Sequence, residues 1–224
     1  MLRFSEQDHA LVTEAVAKAE SLSDGEIVTI VADKSDSYHD VALHYAVLAM
    51  LFVPAALAAV PQGFVDSIAA AFLGWNAEPT RGLLMLFLFA ALAASFLIVR
   101  LILAYTPLRM ALTPGTTKSR RVGRRALQLF RVAAEKKTHG RTGVLLYLSL
   151  IEHRAEIVAD EAIHSKVEPE VWGEAMALLV ERVKAGQPGE GMALAVGKIG
   201  EVLAGCLPKT LGDPNQIPDR LIEI

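Results

Sequence analysis

Four carboxylates lie directly after two predicted β-strands, a position where α/β folds often bind ligands. Asp33 and Asp36 follow the first predicted strand, and Asp160 and Glu161 follow the third. Ligands of α/β folds bind beyond the carboxyl ends of parallel strands, and hard divalent cations such as calcium or magnesium take oxygen ligands. Brought together, these four residues predict a metal site that orients a phosphate ester and activates water. The alternative is that Asp33 and Asp36 cap a turn and Asp160 caps a short helix.

Other residue types that do chemistry are sparse and form no recognised motif. His139, His153 and His164 can act as general acids or bases because imidazole titrates near neutrality. In a predicted turn, however, His153 is more simply a solvated residue. Cys206 is the one cysteine, which excludes an internal disulfide and cysteine-rich metal sites. Two functions stay open, a metal-assisted phosphatase and a binding or assembly module, and the lack of a nucleophile or phosphate-binding loop favours the module.

Two long apolar runs set the organisation of the chain, whose apolar fraction is 53 % and mean hydropathy +0.38. Residues 42–60 and 83–99 contain no Asp, Glu, Lys or Arg. A helix that spans a bilayer needs about 20 mostly apolar residues, whereas apolar runs of about 10–14 residues are more typical of buried core helices. The runs therefore predict a two-helix transmembrane hairpin over residues 41–105.

A dense basic stretch after the second apolar run predicts the orientation of this hairpin. Short loops rich in Lys and Arg mark the cytoplasmic side, and the connection between the two runs carries one basic residue, Arg81. We expect an inner-membrane protein with both termini in the cytoplasm. Beside a membrane helix, such a stretch binds anionic headgroups rather than nucleic acid. The expected partners are the lipid bilayer and a membrane protein, and the predicted membrane-surface patch is Arg109, Lys118, Arg120, Arg121, Arg124 and Arg125.

The remaining segments alternate between helical and β-rich patterns. Ser5 and Asp8 form a capping pair that opens an amphipathic helix, and the basic stretch continues into a second one. A polar turn between two β-rich runs predicts a β-hairpin. The break GQPGEG and Pro208 delimit the last helix, and the tail beyond it is predicted to be loosely structured. The predicted strands are 26–32, 142–150 and 156–159, and the predicted helices begin near 5, 121, 169 and 192.

The first strand needs a partner from beyond the apolar runs, because a lone strand leaves its backbone groups unpaired. We therefore predict one α/β domain in two pieces, 1–40 and 106–208, with a tail at 209–224. The strands before and after the hairpin would form a parallel crossover. The predicted fold class is a small mixed-sheet α/β sandwich that is interrupted by the transmembrane hairpin.

The order of these segments resembles the TPM-domain membrane proteins of bacteria. The resemblance rests on GEIV from Gly25, RTGVLLYLSL from Arg141, RAEIVAD from Arg154 and a helix containing Trp172. It implies a small α/β sandwich. A thylakoid relative has an attributed phosphatase activity, and other relatives are described as metal-binding proteins or assembly factors. Where many TPM domains carry a Gly-aromatic-Gly element, this chain has Asp160, Glu161 and Ala162.

Overall fold

The two central strands of the sheet are apolar along nearly their whole length. β1 (Glu26–Ala32) and β2 (Gly143–Ser149) are buried at every residue, as expected where helices cover both faces of a sheet. They pair in parallel, with Glu26 opposite Gly143 and Ala32 opposite Ser149. These observations come from a computed structural model that describes residues 4–73, 80–133, 142–167, 170–210 and 217–224.

Two further strands flank this pair and make the sheet mixed. β3 (Arg154–Ala159) runs antiparallel to β2, and a turn ending at His153, with φ of 48°, joins them. β4 (Ile222–Glu223) pairs in parallel with the other side of β1. The described sheet therefore has four strands in the order β3–β2–β1–β4. The predicted mixed α/β class and the predicted β-hairpin of β2 and β3 are confirmed.

The chain forms two compact units, one of residues 1–37 with 115–224 and one of residues 38–114. The first unit contains the sheet. The described helices are α1 (Glu6–Glu20), α2 (His39–Ala59), α3 (Gln62–Leu73), α4 (Arg81–Ile102), α5 (Thr106–Leu112), α6 (Gly115–Ala133), α7 (Glu161–His164), α8 (Val171–Lys184) and α9 (Pro188–Cys206).

Alternation along β1 and β2 sends apolar side chains into two separate cores. On one face Ile27 and Leu146 pack with α1, α8 and α9, with Leu179 and Ile199 at the centre. On the other face Leu145 and its neighbours pack against the apolar stripe of α6. The sheet is thus covered by helices on both sides, which explains why its central strands lack the polar alternation of a half-exposed sheet.

The last helix starts earlier than the GQPGEG segment predicts. α9 begins at Pro188, the first helical position, where a missing N–H removes no helical hydrogen bond. Its glycines allow close packing: a Cβ on Gly200 would lie 2.6 Å from the Cβ of Ala19 in α1, and one on Gly191 2.8 Å from the Cβ of Arg182 in α8. The predicted break is present, because Gly186, with φ of 81°, and Gln187 separate α8 from α9. The predicted start near Met192 is wrong, because the residues from Pro188 to Gly191 form the first turn of α9.

The end of the C-terminal tail is ordered, contrary to the prediction. Ile222 lies opposite Ile30, and Glu223 opposite Val31. The Ile224 N–H donates to the Val31 carbonyl at 3.0 Å. Residues 211–216 lie outside the described part of the chain, as does His139.

In the second unit, α2 and α4 pack against each other and are both long and apolar enough to cross a membrane. Their most apolar windows have mean hydropathies of 2.1 and 2.7. Pro54 lies within α2, which continues to Ala59. None of the residues in α4 is buried.

Candidate functional site

The four carboxylates predicted to bind a metal do not converge. Asp33 and Asp36 follow β1, whereas Asp160 and Glu161 follow β3. Because β3 runs antiparallel to β2, its last residue, Ala159, lies opposite the start of β2. A seven-residue strand spans about 20 Å, so the two pairs lie at opposite ends of the sheet. The expectation of one shared site is wrong for this reason.

Each carboxylate has a separate role or stands in solvent. The Asp160 carboxylate accepts a hydrogen bond from the Gly143 N–H at 2.9 Å and makes no side-chain cap on α7. Asp36 forms an ion pair with Arg121 at 3.0 Å, and Asp33 and Glu161 are exposed. Within the described ranges, no group of three or more His, Cys, Asp or Glu side chains is arranged to hold a metal ion.

The predicted basic patch is divided between the two units. In α5, Arg109 is buried and donates to the Leu103 carbonyl at 3.1 Å, so it does not belong to an exposed surface. Arg121 in α6 is held by Asp36. The members of the patch that remain on the solvent side of α6 are Lys118, half-buried, and Arg120, Arg124 and Arg125, exposed.

A cleft of about 400 Å³ lies beside β3, the edge strand of the sheet. One wall is α6, through Ser119 and Val122, and the opposite wall is α8. The floor is the β2–β3 turn and the first half of β3. The α8 wall combines apolar and basic side chains, namely Met176, Val180 and Lys184.

The Arg154 side chain lines this cleft and has no ion-pair partner among the described residues. Its Nε is buried, also without a hydrogen-bond partner among these residues. The guanidinium lies along the first turn of α6, where one of its terminal nitrogens would be 3.2 Å from a Cβ on Gly115. Arg154 as a whole is half-buried, but a buried N–H without a hydrogen-bond partner is costly. The cleft is therefore suited to a ligand that carries a carboxylate or another hydrogen-bond acceptor.

Glu156 lies two residues further along β3 on the same face. Its carboxyl group faces Gly123 of α6, where an added Cβ would lie 3.7 Å from the carboxyl carbon. Burial raises the pKa of Glu156 above its ordinary value of 4.5. No described residue neutralises this side chain. Arg154 and Glu156 thus present one positive and one acidic group, unpaired, along the same side of an edge strand.

A hydrogen-bonded network fixes the end of the cleft. The Glu152 carboxylate accepts from the Ser35 N–H at 2.7 Å and from the Ser149 hydroxyl. Ser35 also contacts the Tyr147 hydroxyl at 3.0 Å, and burial raises the pKa of Tyr147. This network joins the segment after β1 to the β2–β3 turn. It holds Glu152 in place and leaves the Arg154 side chain as the free charge beside it.

The sequence patterns identified one residue that lines this cleft, His153, but did not predict the cleft or its two charged residues. His153 was expected to be a solvated turn residue, and it lies in the turn and lines the cleft. His164 is exposed at the end of α7. Arg154 and Glu156 belong to a mostly apolar strand, so no local pattern distinguishes them. The signal that could have found them is the presence of two charges on one face of an edge strand.

Comparisons with known proteins give the fold and no function. No family model matches the chain, and no curated protein matches it. A solved structure, described as the NMR structure of BA42 protein from the psychrophilic bacteria Bizionia argentinensis sp. nov., is similar with a TM-score of 0.56. The identity is 14 %, over 99 % of this chain and 95 % of that one. At this identity the likeness concerns the fold alone.

Proposed function

We propose that this protein is a membrane-anchored binding or assembly module, whose TPM-like α/β domain lies in the cytoplasm and binds a partner in the cleft beside β3. A hairpin of α2 and α4 anchors it in the inner membrane. The open cleft with its unpaired charges supports a binding role. The TPM-like part of the proposal rests on the resemblance of the segments around Gly25, Arg141 and Arg154.

The observation that carries the anchoring proposal is the exposed apolar surface of α2 and α4. Phe52 is 69 % exposed, Phe89 68 % and Leu101 76 %. Burying one such side chain stabilises a protein by about 1.5–3 kcal/mol. Leaving a whole row in water would therefore cost on the order of 10 kcal/mol, as much as the net stability of a typical domain. Lipid removes this cost. The same row contains Leu48, Leu51, Leu86 and Leu97.

The exposed basic residues of α6 support the proposed orientation. Arg120, Arg124 and Arg125 follow the end of α4 by about 20 residues, beyond the short helix α5. Cytoplasmic segments close to a membrane helix are rich in such residues, and each attracts anionic headgroups by about 1 kcal/mol. Metal-assisted phosphate hydrolysis, the alternative raised by the sequence, has no such support, because the four carboxylates proposed for it lie at opposite ends of the sheet.

Two measurements test the anchoring. Bacterial membranes containing the full chain are washed with alkaline carbonate and then treated with dodecylmaltoside. We expect the protein to stay with the membranes through the wash and to be released by the detergent. A chain that the wash alone releases is not membrane-anchored.

Cysteine labelling tests the orientation, since the natural chain has a single cysteine to remove. In a Cys206→Ser background, Lys34→Cys and Gln62→Cys place one thiol before α2 and one between α2 and α4. Both positions are exposed. A membrane-impermeant maleimide applied to intact spheroplasts should label the thiol at position 62. It should label the thiol at position 34 only after the spheroplasts are lysed. Equal labelling at both positions contradicts the hairpin, and the reversed pattern contradicts the orientation.

A further inference from the structure

The outer edge of β3 has backbone groups that no described strand uses. The Asp160 N–H donates to the Gly143 carbonyl, and the Leu150 N–H donates to Ala32 on the opposite side of β2. Bonding directions alternate along a strand. Arg154 and Glu156 therefore use their backbone groups toward β2, and Ala155, Ile157 and Ala159 point theirs outward.

These outward groups face the cleft between α6 and α8. Ala155 lines it directly. One face of a strand added there would lie on the α6 side of the sheet, where the side chains of Arg154 and Glu156 project. Its other face would meet Met176 and Val180 of α8. Both faces of an added strand would thus be covered, which is what a central strand requires.

We propose that the cleft binds an extended peptide segment that pairs antiparallel with β3 and reads basic, apolar, acidic in the direction of its own chain. The acidic residue lies opposite Arg154, the apolar residue opposite Ala155 and the basic residue opposite Glu156. This deepens the proposed function, on which it rests, by naming the chemistry of the partner: a segment free of its own covering helices, such as a terminus or a linker of a partner protein.

The hydrogen-bond pattern places the charged pairs favourably. In an antiparallel ladder the residue opposite Ala155 exchanges two hydrogen bonds with it, so those opposite Arg154 and Glu156 form the closer, non-bonded pairs. Opposite charges at such positions attract each other across the strands. A parallel segment would require the opposite order of charges, and parallel pairing is less stable per residue.

A second copy of β3 itself carries the required pattern, Arg154, Ala155 and Glu156. In that copy, however, β3 lies between its own α6 and α8. Those helices would meet the α6 and α8 walls of the first copy before the strands could pair. An uncovered segment has no such obstacle, and so the occupant is a separate peptide.

The probe is the peptide Thr-Val-Lys-Val-Glu-Ser-amide with fluorescein on its N-terminus. It is titrated with the full-length protein in dodecylmaltoside, and binding is followed by anisotropy. The matched peptide exchanges Lys and Glu. We expect the exchanged peptide to bind about tenfold more weakly, because two attractive cross-strand pairs become repulsive. Methylating the backbone nitrogen of the Val between Lys and Glu removes the donor to the Ala155 carbonyl. This change should weaken binding at least as much as the exchange of charges.

The protein variants test the same contacts from the other side. The double variant Arg154→Glu with Glu156→Arg should reverse the preference and bind the exchanged peptide more tightly. Arg124→Gln, on the exposed side of α6, is the control and should leave both affinities unchanged. Circular dichroism shows whether the double variant is folded, and the methylated peptide tests the proposal on the natural chain if it is not.

Three results would overturn the proposal. Equal binding of the methylated and unmethylated peptides would exclude strand pairing. Displacement of both peptides by inorganic phosphate, with no preference between them, would show a simple anion site. A dimer in micelles, dissociated by the peptide, would show that the occupant is a second copy. None of these affects carbonate extraction or cysteine labelling, so the anchoring proposal stands or falls separately.

Discussion

At one edge of the sheet the C-terminal residues of the chain complete the hydrogen bonding of β1, and at the other edge β3 borders a cleft. The first edge is covered by β4 and by Ile217 and Leu221, both buried. The Ile217 N–H donates to the Glu26 carboxylate at 3.1 Å. The second edge has no described strand beyond β3.

The two edges also differ in whether their charged side chains have partners. At the covered edge, the Glu20 carboxyl accepts from the Ile27 N–H at 2.7 Å, and Glu26 accepts from Ile217. At the cleft, Arg154 and Glu156 lack partners among the described residues. Exposed strand edges invite pairing with other chains. The chain protects one edge with its own residues and keeps the other available.

The largest expected effect is a difference in the loss of stability when a packed side chain is shortened at each edge of the sheet. Leu221→Ala should lower the free energy of unfolding by about 2–4 kcal/mol, because it empties a buried position in the core. Ile157→Ala, at the cleft edge and half-buried, should cost roughly half as much. Urea unfolding in dodecylmaltoside, followed by tryptophan fluorescence, measures both. Equal losses would mean that the edges are equally well packed.

A pH-dependent effect should appear at the covered edge. The pKa of Glu20 is raised from 4.5 to about 8. Burial is the largest cause, the Ile27 hydrogen bond opposes it, and the neighbouring Glu26 and Asp219 carboxyl groups add to it. The folded chain therefore binds this proton more tightly than the unfolded chain. The resulting stability is fully present below about pH 4.5 and is lost as the pH rises through about 8.

Glu20→Gln keeps an oxygen for the Ile27 N–H and cannot ionise. Its melting temperature relative to the natural chain should therefore rise from pH 5 to pH 9, by about 2–4 °C for each kcal/mol of stability. Thermal scans of both proteins at matched ionic strength measure this difference. A difference that is flat with pH would show that Glu20 does not titrate in this window.

The smallest effect is expected at the cleft, where burial raises the pKa of Glu156. The sign is the same: stability is lost as the pH rises above the ordinary carboxyl range, and Glu156→Gln should gain relative to the natural chain. This side chain is partly solvated, so a shift of about 1–2 °C is expected. The same scans check it. A destabilised variant near neutral pH would mean that Glu156 has a cationic partner.

Much of the fold follows from local patterns. β1 coincides with its prediction, and β2 and β3 lie within two residues of theirs, because continuous apolar runs between turn residues are typical of buried strands. The capping pair of Ser5 and Asp8 is present. β4 could not be predicted, since a two-residue strand in a polar tail is defined by its long-range pairing with β1.

The candidate site was less predictable for a related reason. The carboxylates after β1 and β3 are similar in sequence, and the antiparallel direction of β3 alone separates them. Arg109 looks like a surface residue by its neighbours, yet its side chain folds back onto the Leu103 carbonyl. Arg154 and Glu156 become a pair of charges in a cleft when α6 and α8 are placed around them. Such relations depend on tertiary packing that single-sequence patterns do not contain.

The pairing of β1 with β2 has a consequence for biosynthesis. About 110 residues, including both apolar helices, separate Ala32 from Gly143. At synthesis rates of about 5–20 residues per second, the ribosome takes on the order of ten seconds to supply the partner strand. During that time β1, with its sequence EIVTIVA, is an exposed apolar strand without a ladder. We expect the nascent chain to need a chaperone or the nearby lipid surface over this interval.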